Sequence, residues 1–233
     1  MNYRAIIFDL FGTLVDDFAS SAGQMNLDLA TTLAVPYETF IQLWRQTTDM
    51  RILGAFQTVE ASIEHVCGVM GAQVRPEQTA RAVEIRLKFT REALKPRPDA
   101  VATLAELKNK GYKIGLVSNC SIEIPIVWPE TEFAELFDGT VFSSRERIKK
   151  PALQIYHLAC ERVVVAPDDC LYVADGENHE LSAAAKVGLH PVLIRNSSRD
   201  DANELLREAR EWQGTSISTL SEVLGLVAMS NQS

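Results

Sequence analysis

Five short runs of apolar residues, many of them β-branched, alternate along the chain with segments of helical periodicity. The runs are residues 5–8, 113–117, 140–142, 171–174 and 192–194. Each run is nearly continuously apolar, which is typical of strands that are covered on both faces, as in a parallel sheet. Because strands that alternate with helices need crossover connections, the pattern predicts an α/β fold with a doubly wound, Rossmann-like parallel sheet.

Residues 16–96 interrupt this alternation, because they contain helical patterns and no strand-like run. The clearest pattern covers residues 76–94, where Ala80, Val83, Leu87 and Leu94 are expected to form an apolar stripe. The proline-rich segment KPRPDA then marks the return to the sheet. We therefore predict a core made of residues 1–15 and 97–233, with residues 16–96 inserted as an all-helical cap domain.

Polar side chains follow the predicted strands at the point where each strand ends. They are those of Asp9, Ser118, Asn119, Ser143, Ser144 and Asp175, and Lys149 and Lys150 come shortly after the third run. Ligands of open parallel sheets bind beyond the carboxyl ends of the strands, so these groups should converge on one crevice. Carboxylates, a hydroxyl and an ammonium group together suit an anionic substrate with a divalent metal ion.

Composition and charge argue against several other classes of protein. The net charge of -8 disfavours nucleic-acid binding, which needs clustered lysines and arginines. No run approaches the roughly 18 apolar residues of a membrane span, and the N-terminal residues do not resemble a signal peptide. The four cysteines form no CxxC pair, and no glycine-rich dinucleotide fingerprint follows the first run. We expect a reduced, cytoplasmic protein that binds neither nucleic acid nor membrane, either monomeric or homodimeric.

Four motifs in this order resemble those of the haloacid dehalogenase superfamily, hydrolases that use an aspartate nucleophile. The matching segments are FDLFGTL, LVSNCS, KKP and VADGENHEL, at residues 8–14, 116–121, 149–151 and 173–181. The resemblance covers residues 1–15 and about 97–225. Residues 16–96 occupy the position of the helical cap that some members carry.

The resemblance implies that Asp9 is the nucleophile and forms an aspartyl-phosphate intermediate. Mg²⁺ would neutralise the phosphoryl charge, bound by Asp9, by the backbone carbonyl of Phe11 and by Asp175. Glu180 would act from the second shell by orienting a metal-bound water or a metal ligand.

The remaining motif residues are implied to bind the phosphoryl group. Ser118 would donate a hydrogen bond to it, and Lys150 would pair with both Asp9 and the phosphate. Lys149 is the alternative for this role, although the Lys-Pro sequence favours Lys150. Thr13 would shape the turn of the nucleophile and, with Asn119 and Lys150, would bind substrate.

Phe11 departs from the pattern of the family's phosphatases, which usually carry a second aspartate at this position. That aspartate protonates the leaving group, a contribution of about 10²- to 10⁴-fold that phenylalanine cannot make. Asp16, Asp17, His179 or a cap residue could replace it. Otherwise the substrate has a leaving group that needs no acid, or turnover is weak.

Three hypotheses about function follow. The first is a Mg²⁺-dependent phosphatase of a small phosphorylated metabolite. The second is a metal-independent 2-haloacid dehalogenase, which Phe11 favours and Asp175 disfavours, with Arg45 or Arg51 holding the substrate carboxylate. The third is a catalytically impaired protein with a binding or regulatory role.

A phosphonate hydrolase is a minor variant of the first hypothesis. Its chemistry requires a cap lysine that forms a Schiff base, and Lys88 and Lys95 are the candidates.

Overall fold

The computed structural model describes residues 2–16, 22–195 and 204–230, and within them a six-stranded sheet forms the centre of the fold. The strands are β1 Ala5–Phe8, β2 Lys113–Ser118, β3 Gly139–Phe142, β4 Cys170–Ala174, β5 His190–Ile194 and β6 Ser216–Ile217. All neighbours pair in parallel, in the order β3-β2-β1-β4-β5-β6. The predicted doubly wound α/β class is confirmed. The two-residue strand β6 was not predicted, because it is too short to give a pattern.

Twelve α-helices accompany the sheet in the described part of the chain. Between β1 and β2 lie α1 Ala22–Leu33, α2 Tyr37–Gln46, α3 Thr48–Ile52, α4 Val59–Val69, α5 Pro76–Ala93 and α6 Ala100–Asn109. The later helices are α7 Glu123–Val127, α8 Ser143–Glu146, α9 Leu153–Val163, α10 Glu180–Val187, α11 Arg207–Glu211 and α12 Glu222–Ser230. None of these helices is both long and apolar enough to cross a bilayer.

Alternate residues of β1 point into two different cores. Ile6 and Phe8 pack in a cluster that includes residues of α6, α7 and α12. Ala5 and Ile7 pack in a second cluster that includes residues of α9 and α10. The continuous apolarity of β1 therefore reflects burial of both faces of the sheet, as the sequence pattern predicts.

Helices α1, α2 and α4 bury their apolar residues in a third cluster, separate from the two that cover the sheet. Leu29, Phe40 and Ile63 are fully buried there. The segments by which the chain leaves and re-enters the sheet lie side by side, because Val15 forms an antiparallel bridge with Pro96. This crossing lies where the sequence predicts the cap boundaries, which remain predictions.

The predicted apolar stripe of α5 is wrong in part. Ala80 is exposed, and the buried face of the helix carries Thr79, Ala82, Arg86 and Thr90 instead. Arg86 pairs with the buried carboxylate of Glu123 at 2.5 Å, a contact 37 residues away along the chain. A polar buried face of this kind has no signature in hydrophobic periodicity.

Gly54 allows the close approach of the segment after α3 to helix α8, which follows β3. Its φ is +67°, and a Cβ there would lie 1.9 Å from the carbonyl oxygen of Ser144. Gly71 has almost the same φ, +69°, but nothing lies within 4 Å of its Cβ position. A comparison of alanine substitutions at Gly54 and Gly71 therefore separates the effect of steric overlap from the effect of backbone strain.

We expect Gly71→Ala to lower the free energy of unfolding by about 1–2 kcal/mol, the cost of a left-handed alanine. Gly54→Ala should lower the free energy of unfolding by about 1–3 kcal/mol more than Gly71→Ala does, because the overlap with Ser144 must be relieved as well. Urea denaturation of both variants measures the difference. Equal losses would show that the two segments do not pack in this way.

Candidate active site

Asp9 lies at the switch point of the sheet, where β1 is flanked by β2 on one side and β4 on the other. Its backbone N–H donates to the carbonyl of Val173 in β4 at 3.0 Å. A crevice of about 480 Å³ opens at this edge, and Asp9, Asn119, Lys150 and Asp175 are among its lining residues. The strand ends thus converge as expected for an α/β sheet.

Asp9 and Lys150 form a buried ion pair. The Lys150 Nζ atom donates to Oδ1 of Asp9 at 2.5 Å, and the Thr13 hydroxyl donates to Oδ2 at 2.9 Å. Burial raises the pKa of the Asp9 carboxyl, and the ammonium of Lys150 opposes this effect. Burial alone would lower the pKa of Lys150, but the neighbouring carboxylates raise it above its ordinary value. Lys150 therefore remains cationic at neutral pH.

Glu180 holds Lys150 from the other side. Its Oε2 atom accepts hydrogen bonds from Lys150 Nζ at 2.6 Å and from the Tyr172 hydroxyl at 2.7 Å. Its Oε1 atom accepts the backbone N–H groups of Gly176 and Glu177, both at 3.1 Å. Burial raises the pKa of Tyr172 well above its ordinary value, so the phenol stays a donor. Glu180 is thus fixed in place and in turn fixes the ammonium.

Asn119 fixes the backbone of Lys150 with two hydrogen bonds. Its Oδ1 atom accepts the Lys150 N–H at 2.8 Å, and its Nδ2 atom donates to the Lys150 carbonyl at 3.1 Å. The neighbouring Lys149 is placed differently, because its Nζ pairs with the exposed carboxylate of Asp49 at 2.6 Å. The structure therefore brings Lys150, and not Lys149, to the aspartate.

Three buried carboxylates could hold a metal ion. One oxygen each of Asp9, Asp175 and Glu180 lies within 4.8 Å of the other two. The single positive charge of Lys150, which contacts Asp9 and Glu180, does not balance three carboxylates. Oxygen donors of this charge fit Mg²⁺. Phe11, whose carbonyl was predicted as a further ligand, is half-buried and lines the same crevice.

Two predicted phosphate-binding residues lie outside the crevice wall. Ser118 is fully buried, and its hydroxyl hydrogen-bonds to no described group. Thr13 is also fully buried, and its hydroxyl donates a hydrogen bond to the carboxylate of Asp9. Neither is among the residues that line the crevice. Thr13 is therefore placed to orient the carboxylate, and Ser118 has an uncommitted hydroxyl at the end of β2.

The candidate replacements for a second aspartate are placed differently from one another. Asp16 is 78% exposed and pairs with Arg97 at 3.1 Å. His179 lines the crevice, as does Asp49 from the inserted helices. Asp17 lies outside the described residues. The two candidate Schiff-base lysines, Lys88 and Lys95, are exposed and do not line the crevice.

Sequence reasoning missed two features of this region. Tyr172 reads as an ordinary strand residue, and only the fold brings its hydroxyl to Glu180. A second cavity of about 360 Å³ adjoins the crevice, and it includes the buried residues Trp44, Arg51 and Arg86. The apolar and charged patterns of α2, α3 and α5 gave no sign that these residues meet.

A family model described as haloacid dehalogenase-like hydrolase matches residues 3–188. The chain is 26% identical over 235 residues to (S)-2-haloacid dehalogenase 4A of Burkholderia cepacia, covering 97% of this chain and 95% of that protein. It is 26% identical over 229 residues to the glyceraldehyde 3-phosphate phosphatase of Methanothermobacter thermautotrophicus, covering 94% and 96%. The solved structure of an HAD phosphatase from Thermococcus onnurineus is similar in fold, with a TM-score of 0.65 at 19% identity, covering 96% and 97%.

Proposed function

The chain belongs to the haloacid dehalogenase-like hydrolase family, and we propose that it is a Mg²⁺-dependent phosphatase of a small phosphorylated metabolite. The observation that carries this proposal is the cluster of Asp9, Asp175 and Glu180 around a single crevice. A site with this surplus of negative charge repels an anionic substrate unless a divalent cation balances it. Bound Mg²⁺ would supply that charge between Asp9, the Phe11 carbonyl and Asp175.

The described side chains can perform two successive displacements. Asp9 attacks phosphorus, the bond from phosphorus to the leaving oxygen breaks, and an aspartyl-phosphate forms while the leaving oxygen takes a proton from solvent. A water molecule then attacks phosphorus and loses its proton to solvent, and the bond from phosphorus to the Asp9 oxygen breaks, which releases phosphate and restores the carboxylate. Lys150, fixed by Glu180 and Asn119, balances the charge of Asp9 and of the phosphoryl oxygens in both steps. The Ser118 hydroxyl is available to donate to a phosphoryl oxygen.

The helices of residues 16–96 would act as a cap in this proposal. The ion pair between Lys149 and Asp49 joins the loop before α9 to α3 at the rim of the crevice. Closure at this rim would exclude bulk water and select the substrate.

The alternative is 2-haloacid dehalogenation, and Phe11 is the observation that favours it. The family's dehalogenases carry an aromatic residue at this position, and 2-haloacid dehalogenase 4A is a relative over nearly the full chain. In that reaction Asp9 would displace halide from carbon, without a metal ion. The carboxylate of Asp175 in the crevice disfavours it, because the haloacid substrate is itself an anion.

A comparison of phosphomonoesters and 2-chloropropionate, each with Mg²⁺ and with EDTA, tests the proposal. We expect phosphate release that EDTA abolishes and no halide release. The Asp175→Asn variant should need at least about tenfold more Mg²⁺ to reach half of its maximal rate, because the loss of a residue that supports a metal site typically weakens metal binding by this factor or more. Asp28→Asn, on the exposed face of α1, is the matched control. Halide release that is indifferent to EDTA would establish the alternative.

A further inference from the structure

Helix α10 begins at Glu180, the residue that holds the Lys150 ammonium, and its first turn needs a cap. The first N–H groups of any helix have no acceptor within the helix itself. A side chain at the preceding position usually accepts from them. In α10 that position is His179, which has a left-handed φ of +59° and whose side chain makes no cap hydrogen bond within the described residues. The acceptors must therefore come from another part of the chain.

Glu208 of α11 supplies these acceptors. Its Oε2 atom accepts the Leu181 N–H at 2.9 Å, and its Oε1 atom accepts the Ser182 N–H at 2.8 Å. The Ser182 hydroxyl also donates to Oε1. Leu181 and Ser182 are the second and third residues of α10, the two whose N–H groups a cap side chain ordinarily serves. Glu208 therefore caps α10 although it lies 26 residues after Ser182.

The burial of Glu208 shows that this contact is specific. Its side chain belongs to a residue that is 6% exposed, whereas glutamates are almost never fully buried unless they are paired. A buried carboxylate is costly unless its oxygens accept hydrogen bonds, and both oxygens of Glu208 accept from the first turn of α10. Its negative charge is also favourable beside the positive end of the helix dipole.

Helix α11 also packs against the loop that joins Asp175 to α10. Gly176 has a φ of +83°, and a Cβ there would lie 3.0 Å from the Cβ of Ala209. Leu205, just before α11, is among the residues that line the crevice. Residues 204–211 thus support both the start of α10 and the loop that carries Asp175.

A short series of contacts leads from the first turn of α10 to the nucleophile. The Glu180 carboxylate accepts from Lys150 Nζ at 2.6 Å, and the same Nζ donates to Asp9 at 2.5 Å. A shift of the first turn would move the Glu180 carboxylate and, with it, the ammonium. A misplacement of about 1 Å in an active site can cost about 10²-fold in rate.

We propose that Glu208 is a positioning residue of the active site. It fixes the first turn of α10, so that Glu180 holds the Lys150 ammonium against Asp9. This inference goes beyond the proposed phosphatase function and does not depend on it, because Asp9 is the nucleophile in the alternative reaction as well.

Glu208→Gln tests the proposal in the full-length protein. The amide nitrogen of glutamine cannot accept a hydrogen bond, so one N–H group of α10 loses its acceptor. We expect kcat to fall by about 10- to 100-fold, measured with whichever of a phosphomonoester or 2-chloropropionate the wild-type protein turns over. Glu208→Asp keeps the charge and both oxygens on a shorter side chain, and it should restore part of the rate.

Glu211→Gln is the matched control on the same helix. Glu211 is 65% exposed in its side chain and pairs with Arg207 within α11. This variant should keep kcat within about twofold of the wild-type value. Thermal denaturation of each variant defines a temperature at which all of them are folded, and the rates are compared there. A wild-type kcat in Glu208→Gln would overturn the proposal.

Amide hydrogen exchange separates this proposal from the phosphatase assignment, because it needs no substrate. The N–H groups of Gly176 and Glu177 report on Glu180, since both donate to its Oε1 atom at 3.1 Å. In Glu208→Gln these two amides should exchange at least about tenfold faster, while the amides of α6, on the other face of the sheet, keep their wild-type rates.

Each outcome of the exchange measurement is decisive. Unchanged exchange at Gly176 and Glu177 would overturn the proposal, and so would an equal acceleration in α6, which would indicate a general loss of stability. If the exchange changes as expected but no phosphomonoester is hydrolysed, the positioning role of Glu208 stands and the phosphatase assignment fails.

Discussion

Asp9→Asn is expected to abolish turnover and to leave the fold intact. The carboxylate oxygen is the nucleophile in the proposed mechanism, and an amide cannot replace it, so kcat should fall by on the order of 10⁴- to 10⁶-fold. The substitution preserves shape, and the Thr13 hydroxyl can still donate to the amide oxygen. Lys150 also keeps its contact with Glu180 at 2.6 Å, so its charge stays paired.

Phosphate or halide release by the purified variant measures the activity, and urea denaturation measures the free energy of unfolding. Asp28→Asn is the matched control, because Asp28 is exposed on α1 and lines neither the crevice nor the second cavity. It should retain activity within about twofold. Substantial turnover by Asp9→Asn would remove Asp9 from the mechanism, whichever substrate is hydrolysed.

Lys150→Met is expected to produce the largest loss of stability among single substitutions at this site. Lys150 is 6% exposed, and its ammonium contacts both Asp9 and Glu180. Its removal leaves two buried carboxylates unbalanced, which costs about 3–5 kcal/mol. The hydrogen bonds of Asn119 to the Lys150 backbone persist and cannot compensate, because they carry no charge.

Lys149→Met is a close control, since the two lysines are adjacent and both pair with an aspartate. Asp49, the partner of Lys149, is 71% exposed, so this ion pair should contribute no more than about 1 kcal/mol. Urea denaturation at neutral pH compares the two variants. Similar losses of stability in both would contradict the placement of Lys150 at the centre of a buried charge network.

The sequence predicts those parts of the fold and site that depend on local pattern. The apolar run of β1 ends at Asp9, and the run of β4 ends at Asp175, so a parallel sheet must bring the two aspartates to one edge. Lys150 is indicated by its position before Pro151. The family resemblance supplies roles for these residues, and the geometry of Asp9, Lys150 and Glu180 is compatible with those roles.

The features that could not be predicted depend on contacts between distant segments. Arg86 lies in a helix whose hydrophobic pattern pointed to another face, and only its pairing with Glu123 explains its burial. Arg51 is one of two arginines that the sequence analysis names for a substrate carboxylate, but no sequence pattern indicates that it meets Trp44 at one cavity. The hydroxyl of Tyr172 similarly acquires its role from Glu180, eight residues away but in the following helix.

In the proposed mechanism Asp9 becomes covalently phosphorylated during turnover. Peptide mapping by mass spectrometry, after an acid quench of enzyme that is hydrolysing a phosphomonoester with Mg²⁺, detects this intermediate. We expect the mass of one phosphoryl group on the peptide that contains Asp9, absent from Asp9→Asn and from samples treated with EDTA. A phosphoryl group on any other residue, or hydrolysis without a covalent adduct at Asp9, would contradict the mechanism.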